Sequence, residues 1–302
     1  MNKNLNILIT GGLGYVGTEL CKLYAKSKHN ITVVDNAFIP ERVRWLIENN
    51  LKYFQRDLFN ISDLLKDCDI CYHLAGITNV PLIVSQSSPE KDAEIIKVGT
   101  DGTKYIIDNI NKNCKIIFAS TQLVFDGLTY EKFNIDENFE PCPSVAYSVS
   151  KTQSEKDFFN SNKNFIIARF ASAYGYNEAV RWKNLPNLFS KMVSQKQTLR
   201  VFGAENNKPF IGINDLARCI YFLAHNSYNK EIFNCVSENV KVVDIANFCK
   251  KCDKNTNIII TNEEVPNKGF TLSNKKILDA GFVFKQTLKE EIDKMIKMWS
   301  NK

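Results

Sequence analysis

A glycine-rich turn near the N-terminus constrains this chain more than any other segment. The apolar run Leu5 to Thr10 leads into Gly11, Gly14 and Gly17, which stand directly before a stretch of helical spacing. Glycine at these points lets the chain turn tightly, lets the backbone approach a phosphate group and lets the helix pack close to the strand. The first N–H groups of that helix favour an anion at the same point. The segment therefore predicts a strand, a phosphate-binding turn and a helix.

An acidic residue at the end of the second apolar run indicates which nucleotide the turn would hold. Asp35 follows Gly17 by 18 residues and ends the run that begins at Ile31. A carboxylate at this distance accepts hydrogen bonds from the ribose hydroxyls of adenosine and repels a 2′-phosphate. The sequence therefore favours NAD over NADP. A structural glycine turn followed by a solvated aspartate is the alternative interpretation.

Short apolar runs alternate with helical patterns over the first half of the chain. The runs are Leu5 to Thr10, Ile31 to Val34, Lys52 to Gln55, Ile70 to Leu74, Lys115 to Ala119 and Asn164 to Arg169. The helical patterns are Gly14 to Ser27, Pro89 to Asn111 and Ala146 to Ser161, the last two with apolar spacing close to 3.6. This alternation predicts an α/β fold with a doubly wound, Rossmann-type parallel sheet.

Tyr147 and Lys151 form a second motif with chemical meaning. They stand four residues apart at the start of a predicted helix, and Thr121 lies at the end of an earlier strand. An ammonium group on the same helix face stabilises the phenolate and lowers a pKa that is otherwise about 10. Tyr147 then becomes usable as a general base or acid, and the Thr121 hydroxyl would hold a substrate oxygen. A surface helix with a packed tyrosine and a solvated lysine is the alternative.

Together these residues resemble the extended short-chain dehydrogenase/reductase family, specifically its NAD-dependent nucleotide-sugar epimerase and dehydratase branch. The resemblance covers nearly the whole chain. Beyond the two motifs it rests on Asp57-Leu58, His73 to Gly76, Thr121 to Gly127, Tyr174-Gly175, Val201 to Gly203 and Lys208 to Ala217. It implies an NAD-binding Rossmann domain over residues 1–170 and a smaller substrate-binding lid domain over 171–302. A segment at about 210–235 is expected to return to the first domain.

The resemblance also assigns individual positions. The implied cofactor-binding residues are Gly11, Gly14, Tyr15, Val16, Gly17, Asp35, Asn36, Asp57, Leu58, Leu74, Ala75, Gly76, Ala119, Tyr147 and Lys151. The implied substrate-binding residues are Thr78, Thr121, Gln122, Ser172, Asn184, Leu185, Val201, Phe202 and Lys208. Thr121, Tyr147 and Lys151 are the implied catalytic residues. Helices near Glu94 to Asn111 and Gln153 to Phe159 resemble those of the family's dimer interface, so we expect a homodimer.

Departures from the family pattern narrow the expected reaction. The family's dehydratases and UDP-glucuronate decarboxylases carry an acidic residue where this chain has Leu123, which Gln122 precedes. Neither side chain accepts a proton at pH 7, so dehydration and decarboxylation lose their acid or base. The expected reaction is therefore epimerisation, dehydrogenation or ketone reduction at one sugar carbon.

Other departures concern the expected substrate site. Gly99 and Ser172 stand where the family usually has asparagine, and Lys208 stands where it has an arginine that grips the diphosphate. Lysine offers a point charge instead of a planar fork, so phosphate binding is still expected at Lys208. Arg181 or Lys183 are candidates to replace a later arginine of the family.

We therefore expect an NAD-dependent nucleotide-sugar epimerase that transiently oxidises a hexose hydroxyl at C4. Tyr147 would take the hydroxyl proton, Lys151 would tune the phenol and Thr121 would position the oxygen. A nucleotide-sugar C4 dehydrogenase or a 4-keto-sugar reductase is the nearest alternative. A non-catalytic cofactor-binding protein and an enzyme for non-sugar substrates also stay open.

Composition and charge argue against several other classes. With 302 residues, 44% of them hydrophobic and 24% charged, the chain fits a globular protein of about two domains. The net charge of +6 comes from scattered lysines, which disfavours a nucleic-acid partner. There is no apolar run of about 18 residues and no signal-peptide pattern, so we expect a cytoplasmic protein without a membrane partner.

The cysteines and histidines give no expectation of a metal site. Nine cysteines without a secretory signal indicate reduced thiols. The pairs Cys68/Cys71 and Cys249/Cys252 would form a zinc site only if the fold brought them together, and Cys71 has the pattern of a buried strand residue. His73, at a strand end, is interpreted as structural, not as an acid catalyst.

Overall fold

The computed structural model describes residues 4–78, 88–261, 263, 265 and 268–300. The chain divides into two compact units. The first unit contains Met1–Gly127, Pro141–Arg169 and Ala217–Phe233, and the second contains Leu128–Glu140, Phe170–Leu216 and Asn234–Lys302. Each unit has a hydrophobic core of its own.

Within the described residues, the first unit is built on a seven-stranded parallel sheet. Numbered in chain order over the whole protein, its strands are β1 (Asn6–Thr10), β2 (Asn30–Asp35), β3 (Lys52–Gln55), β4 (Ile70–His73), β5 (Lys115–Thr121), β7 (Asn164–Phe170) and β11 (Glu231–Cys235). Their order is β11-β7-β5-β4-β1-β2-β3, so the winding reverses between β1 and β4. In such sheets ligands bind at the carboxyl ends of the strands, at this reversal. The predicted Rossmann-type fold class is confirmed.

Helices of the first unit connect these strands. They are α1 (Tyr15–Tyr24), α2 (Pro40–Glu48), α3 (Ser62–Lys66), α4 (Pro89–Ile96), α5 (Gly102–Asn109), α6 (Ala146–Phe159) and, in part, α8 (Ile213–Ala224). A π turn, Lys97–Asp101, joins α4 to α5 within the predicted helix Pro89 to Asn111. A 3₁₀ turn, Gln122–Phe125, follows β5. α2 and α3 lie in segments where the sequence pattern predicts no helix.

The core of the first unit explains why its strands read as continuous apolar runs. Strands of a parallel sheet are covered by helices on both faces, so successive residues are all buried. Cys71 is buried on β4 as predicted, and so are Phe118, Phe125 and Phe158. Phe159, next to Phe158, is 48% exposed. Phe159 is the last residue of α6, and its ring packs edge-on against the Phe165 ring.

The second unit consists of small sheets and helices around a separate core. Its strands are β6 (Lys132–Ile135), β8 (Ser172–Tyr174), β9 (Leu199–Val201), β10 (Asn207–Gly212), β12 (Glu238–Lys241), β13 (Ile258–Ile260) and β14 (Phe270–Leu272). Its helices are α7 (Leu185–Ser194), α9 (Val242–Cys252), α10 (Lys275–Asp279) and α11 (Leu288–Ser300). Apolar residues of α7, α9 and α11, including Phe189, Ile245 and Ile292, pack in this core. No helix of the described residues has the length and apolar character to cross a membrane.

The glycine turn after β1 is held by close backbone contacts. Gly11 has φ +70°, and its N–H donates to the Val34 carbonyl over 2.8 Å. A Cβ on Gly11 would lie 2.8 Å from the backbone nitrogen of Ala75, and one on Gly17 would lie 2.4 Å from the Gly11 carbonyl oxygen. Gly11 therefore lets the segment after β4 approach the turn, and Gly17 lets α1 pack against it.

We predict that Gly17→Ala destabilises the protein, because the added methyl group meets backbone atoms that cannot move aside independently. The expected loss in the free energy of unfolding is about 1–3 kcal/mol, measured by urea denaturation. Gly76→Ala is the matched control, since a Cβ there would have ordinary contact, 3.7 Å from Lys151 Nζ. Equal stability of the two variants would contradict the packing role of Gly17.

Candidate active site

Asp35 lies at the carboxyl end of β2, beside the glycine turn. One carboxylate oxygen accepts from the Leu13 N–H over 3.0 Å and the other accepts from the Ala37 N–H over 3.0 Å. Each carboxylate oxygen has two acceptor positions, so the group retains capacity for ribose hydroxyls. α1 begins directly after Gly14, which carries no side chain to cap the helix. The first turn of α1 and the Asp35 carboxylate thus fit the diphosphate and ribose of a dinucleotide.

The segment after β4 passes between the glycine turn and α6. The Ala75 N–H donates to Thr10 Oγ1 over 3.2 Å. A Cβ on Gly76 would lie 3.7 Å from Lys151 Nζ. The structure therefore brings the predicted residues of this segment next to both sequence motifs.

Lys151 is buried at the centre of this region, with 4% of the residue exposed. Its ammonium donates to the Ala119 carbonyl over 2.7 Å and lies 4.6 Å from the centre of the Phe118 ring. It also lies 6.0 Å from the centre of the Tyr147 ring. Burial lowers the pKa of Lys151 to about 8, and the Glu155 carboxylate acts in the opposite direction. The group is therefore still largely cationic at pH 7, close to the phenol.

Thr121 ends β5 next to the carbonyl that holds Lys151. Its Oγ1 accepts from the Leu123 N–H over 3.2 Å, which starts the 3₁₀ turn. Thr121 and Gln122 are both buried. A hydroxyl, a phenol and an ammonium group thus come from the end of β5 and the first turns of α6.

The start of α6 is fixed by a carboxylate that the sequence analysis did not single out. Asp126 accepts from the Ser144 N–H over 2.6 Å and from Ser148 Oγ over 3.0 Å. Burial raises the pKa of Asp126. In the sequence, Asp126 is marked only by its place in the Thr121 to Gly127 segment. Its hydrogen-bond partners lie about twenty residues away, so no short-range pattern indicates its role.

His73 joins the glycine turn to the helix that faces α6. Its Nδ1 lies 3.2 Å from Thr10 Oγ1 and its Nε2 lies 3.1 Å from Thr103 Oγ1. The Thr103 hydroxyl donates to the Gly99 carbonyl over 2.6 Å, so it accepts from the Nε2–H of His73. Burial is the main cause that lowers the pKa of His73 to about 3, with the charge of Lys151 adding to it.

Gly99 carries out a packing role at the π turn. Its carbonyl accepts from Ser154 Oγ over 3.0 Å, and a Cβ on Gly99 would lie 2.6 Å from Ser150 Oγ. The asparagine expected from the family pattern would therefore collide with α6 as it is placed here.

The remaining predicted substrate residues lie in the second unit, except Thr78, which is half-buried in the first. Ser172 begins β8, which pairs with β10, the strand that carries half-buried Lys208. Asn184 Nδ2 donates to the Ala173 carbonyl over 2.7 Å, and α7 begins at Leu185. Val201 is buried at the end of β9, whereas Phe202 is 41% exposed.

Comparison with known proteins identifies the family. Residues 7–235 match the model of the NAD dependent epimerase/dehydratase family, which is more than half of the chain. This chain belongs to that family. It is an NAD-dependent enzyme of the extended short-chain dehydrogenase/reductase type, as the resemblance implied.

Individual relatives differ in the reaction that their names give. The chain is 26% identical over 253 residues to a UDP-N-acetyl-alpha-D-glucosaminuronate decarboxylase of Bacillus cytotoxicus, covering 78% of this chain and 76% of that protein. It is 30% identical over 147 residues to a CDP-paratose 2-epimerase of Salmonella typhi, covering 46% and 43%. The fold is similar to UDP-glucuronic acid 4-epimerase from Bacillus cereus, solved with UDP-glucuronic acid and NAD. That likeness has a TM-score of 0.84, 20% identity and coverage of 98% and 99%.

The lowered pKa of His73 predicts a pH-dependent stability. Between pH 6.5 and about 3 the unfolded state binds a proton on this residue and the folded state does not. The free energy of unfolding therefore falls as the pH is lowered through this window. Relative to His73→Gln, the wild-type protein should lose about 2 kcal/mol between pH 7 and pH 5, measured by urea denaturation at each pH. A stability difference that stays constant with pH would contradict a neutral, buried His73.

Proposed function

We propose that this protein is an NAD-dependent nucleotide-sugar epimerase that oxidises and re-reduces one hexose carbon, at C4. The observation that supports this most is the set of groups at the end of β5 and in the first turns of α6. It supplies the Thr121 hydroxyl, the Tyr147 phenol and the Lys151 ammonium, and Leu123 stands where dehydration or decarboxylation needs an acid. The nearest following carboxylate, Asp126, is bound to the start of α6.

Each proposed catalytic residue has a defined part. Tyr147, as phenolate, accepts the proton of the sugar hydroxyl and returns it when the carbonyl is reduced. Lys151, cationic at neutral pH, stabilises the phenolate, and Thr121 holds the sugar oxygen. NAD, when bound, supplies a hydride acceptor that gives the hydride back. The keto sugar turns between the two steps, so that the returned hydrogen reaches its other face.

The comparisons support this proposal and also supply its competitor. Two of the similar proteins are named as epimerases, one acting on a CDP sugar and one on UDP-glucuronic acid. The Bacillus cytotoxicus relative is named as a decarboxylase. Because Gln122 and Leu123 offer no group to exchange a proton beyond the first oxidation, we favour epimerisation over decarboxylation here.

We further propose roles in substrate binding and chain association for residues outside the catalytic group. The candidates for binding the nucleotide sugar are Thr78, Thr121 and Gln122 in the first unit and, in the second unit, Ser172, Asn184, Leu185, Val201, Phe202 and Lys208. Two chains would associate through the segment Glu94 to Asn111, which runs from the end of α4 through α5, and through α6. The apolar residues Ile96, Val149 and Phe159 of α4 and α6 are 41%, 42% and 48% exposed. A cytoplasmic location stays a prediction from the sequence.

We predict that Tyr147→Phe lowers turnover by about 10²–10⁴-fold, because the hydroxyl proton loses its acceptor. Wild type and variant are incubated with UDP-, dTDP- and GDP-hexoses, with and without NAD. Absorbance at 340 nm and the anomeric proton NMR spectrum are followed together. A new epimer without net NADH is expected from the wild-type protein only, with NAD binding retained in the variant.

The matched control is Tyr130→Phe, which removes a hydroxyl from a tyrosine that is 55% exposed and should leave turnover unchanged. Full activity of Tyr147→Phe would contradict the proposed role. If the wild-type protein forms stoichiometric NADH and a keto product, the proposed epimerase activity would be replaced by a dehydrogenase activity. If the wild-type protein converts only keto sugars, the proposed epimerase activity would be replaced by a reductase activity.

A further inference from the structure

A fully buried ion pair lies one helical turn beyond Lys151. Arg169 on β7 binds Glu155 on α6 through two parallel hydrogen bonds, Nε to Oε1 over 3.1 Å and Nη2 to Oε2 over 2.7 Å. The two side chains are 2% and 5% exposed. Ser120 Oγ also donates to Glu155 Oε1, over 2.5 Å. One carboxylate therefore joins α6 to two neighbouring strands.

The Glu155 carboxylate lies close to the proposed active site on both β5 and α6. Ser120 immediately precedes Thr121 on β5, and the next carbonyl back along the strand, that of Ala119, holds the Lys151 ammonium. Glu155 follows Lys151 by four residues, so both lie on the same face of α6. The network thus fixes the strand end and the helix from which the reacting groups extend.

A buried ion pair of this kind contributes little to stability by itself. Removing two charges from water costs several kcal/mol per ion, and apolar residues of similar size often serve a core at least as well. Hydrogen bonding alone could also be supplied by a neutral amide at position 155. The negative charge of Glu155 therefore calls for a role that an uncharged side chain would not fill.

We propose that Glu155 is a positioning residue of the reaction, which orients Lys151 and keeps its ammonium charged in the buried site through the carboxylate that Arg169 and Ser120 hold in place. The inference deepens, and rests on, the proposed function of Lys151. The contacts of Glu155 are with Ser120 and Arg169, and its proposed effect on the reaction passes through Lys151. The direction of its effect agrees with the rise that the Glu155 charge causes in the pKa of Lys151.

The other groups around Lys151 determine how strongly the site disfavours the charged ammonium, which is the effect that the Glu155 charge opposes. On α6 itself these are Tyr147 and Glu155, and β4 contributes His73, which is neutral because its pKa is lowered to about 3. β5 contributes the Phe118 ring and the Ala119 carbonyl. β7 contributes Arg169, whose charge is paired with Glu155. The π turn faces α6 through the Gly99 carbonyl, which accepts from Ser154.

The test is a direct titration of Lys151 in the cofactor-free protein. The protein is labelled with ¹³C at the ε-carbon of lysine, and the Lys151 signal is assigned by its loss in Lys151→Met. In the wild type we expect a midpoint at about 8. In Glu155→Gln the midpoint should fall by about one pH unit or more, since the stabilising charge is removed. At pH 7.5 the charged fraction would then drop about three-fold.

Two further variants separate charge from structure. Glu155→Gln combined with Arg169→Met removes both buried charges, and the downward shift should persist there. Ser120→Ala removes one hydrogen bond but keeps the carboxylate charge, so its Lys151 midpoint should stay within a few tenths of a unit of the wild type. A shift confined to the single variant would assign the effect to an unpaired Arg169 and overturn the proposal. An unchanged midpoint in both Glu155 variants would also overturn it.

The titration does not depend on the substrate. A failed Tyr147→Phe experiment would remove the proposed reaction and leave the Lys151 titration standing. A failed titration would remove the role of Glu155 and leave the reaction standing.

Discussion

Burial of the Lys151 ammonium is the constraint on which the surrounding structure depends. A charge that is almost completely removed from water is stable only with close partners. The Ala119 carbonyl and the Phe118 ring supply them, and the charge of Glu155, one turn further along α6, also favours the cationic form. These partners determine where α6 lies against β5. The phenol of Tyr147, one turn earlier on α6, is positioned by the same contacts.

This constraint gives α6 a buried face that is largely polar. Ser148, Ser150, Lys151, Ser154 and Glu155 are all buried on it. Buried hydroxyl and carboxylate groups are tolerated only when they are hydrogen-bonded, and each of these five donates or accepts within the first unit. Thr152, also buried on α6, has no hydrogen-bond partner for its hydroxyl among the described residues. The paired groups favour one arrangement over others, which suits a site whose groups must hold fixed positions. The π turn and Gly99 complete this packing by letting α6 approach closely.

The sequence predicts those parts of the site that are formed by residues close together in the chain. The glycine turn before α1, Asp35 at the end of β2 and the four-residue spacing of Tyr147 and Lys151 all have short-range signals. The helix predicted at Ala146 to Ser161 is present as α6, but most of its buried residues are polar, which the apolar spacing did not indicate. Arg169 and Asp126 were not singled out, since their partners lie 14 and 22 residues away. Likewise, no local pattern assigns Leu128–Glu140 to the second unit, where β6 pairs with the distant β14.

The central claim, that one carbon is oxidised and then re-reduced with its own hydrogen, is tested most directly by an isotope. A nucleotide hexose that the protein turns over is prepared with deuterium at C4 and incubated in ordinary water with a catalytic amount of NAD. Both epimers are then analysed by mass spectrometry and NMR. We expect the deuterium to stay at C4 in substrate and product alike, since removal and return occur within one bound complex. Loss of the label to water or its accumulation in free NADH would contradict the account.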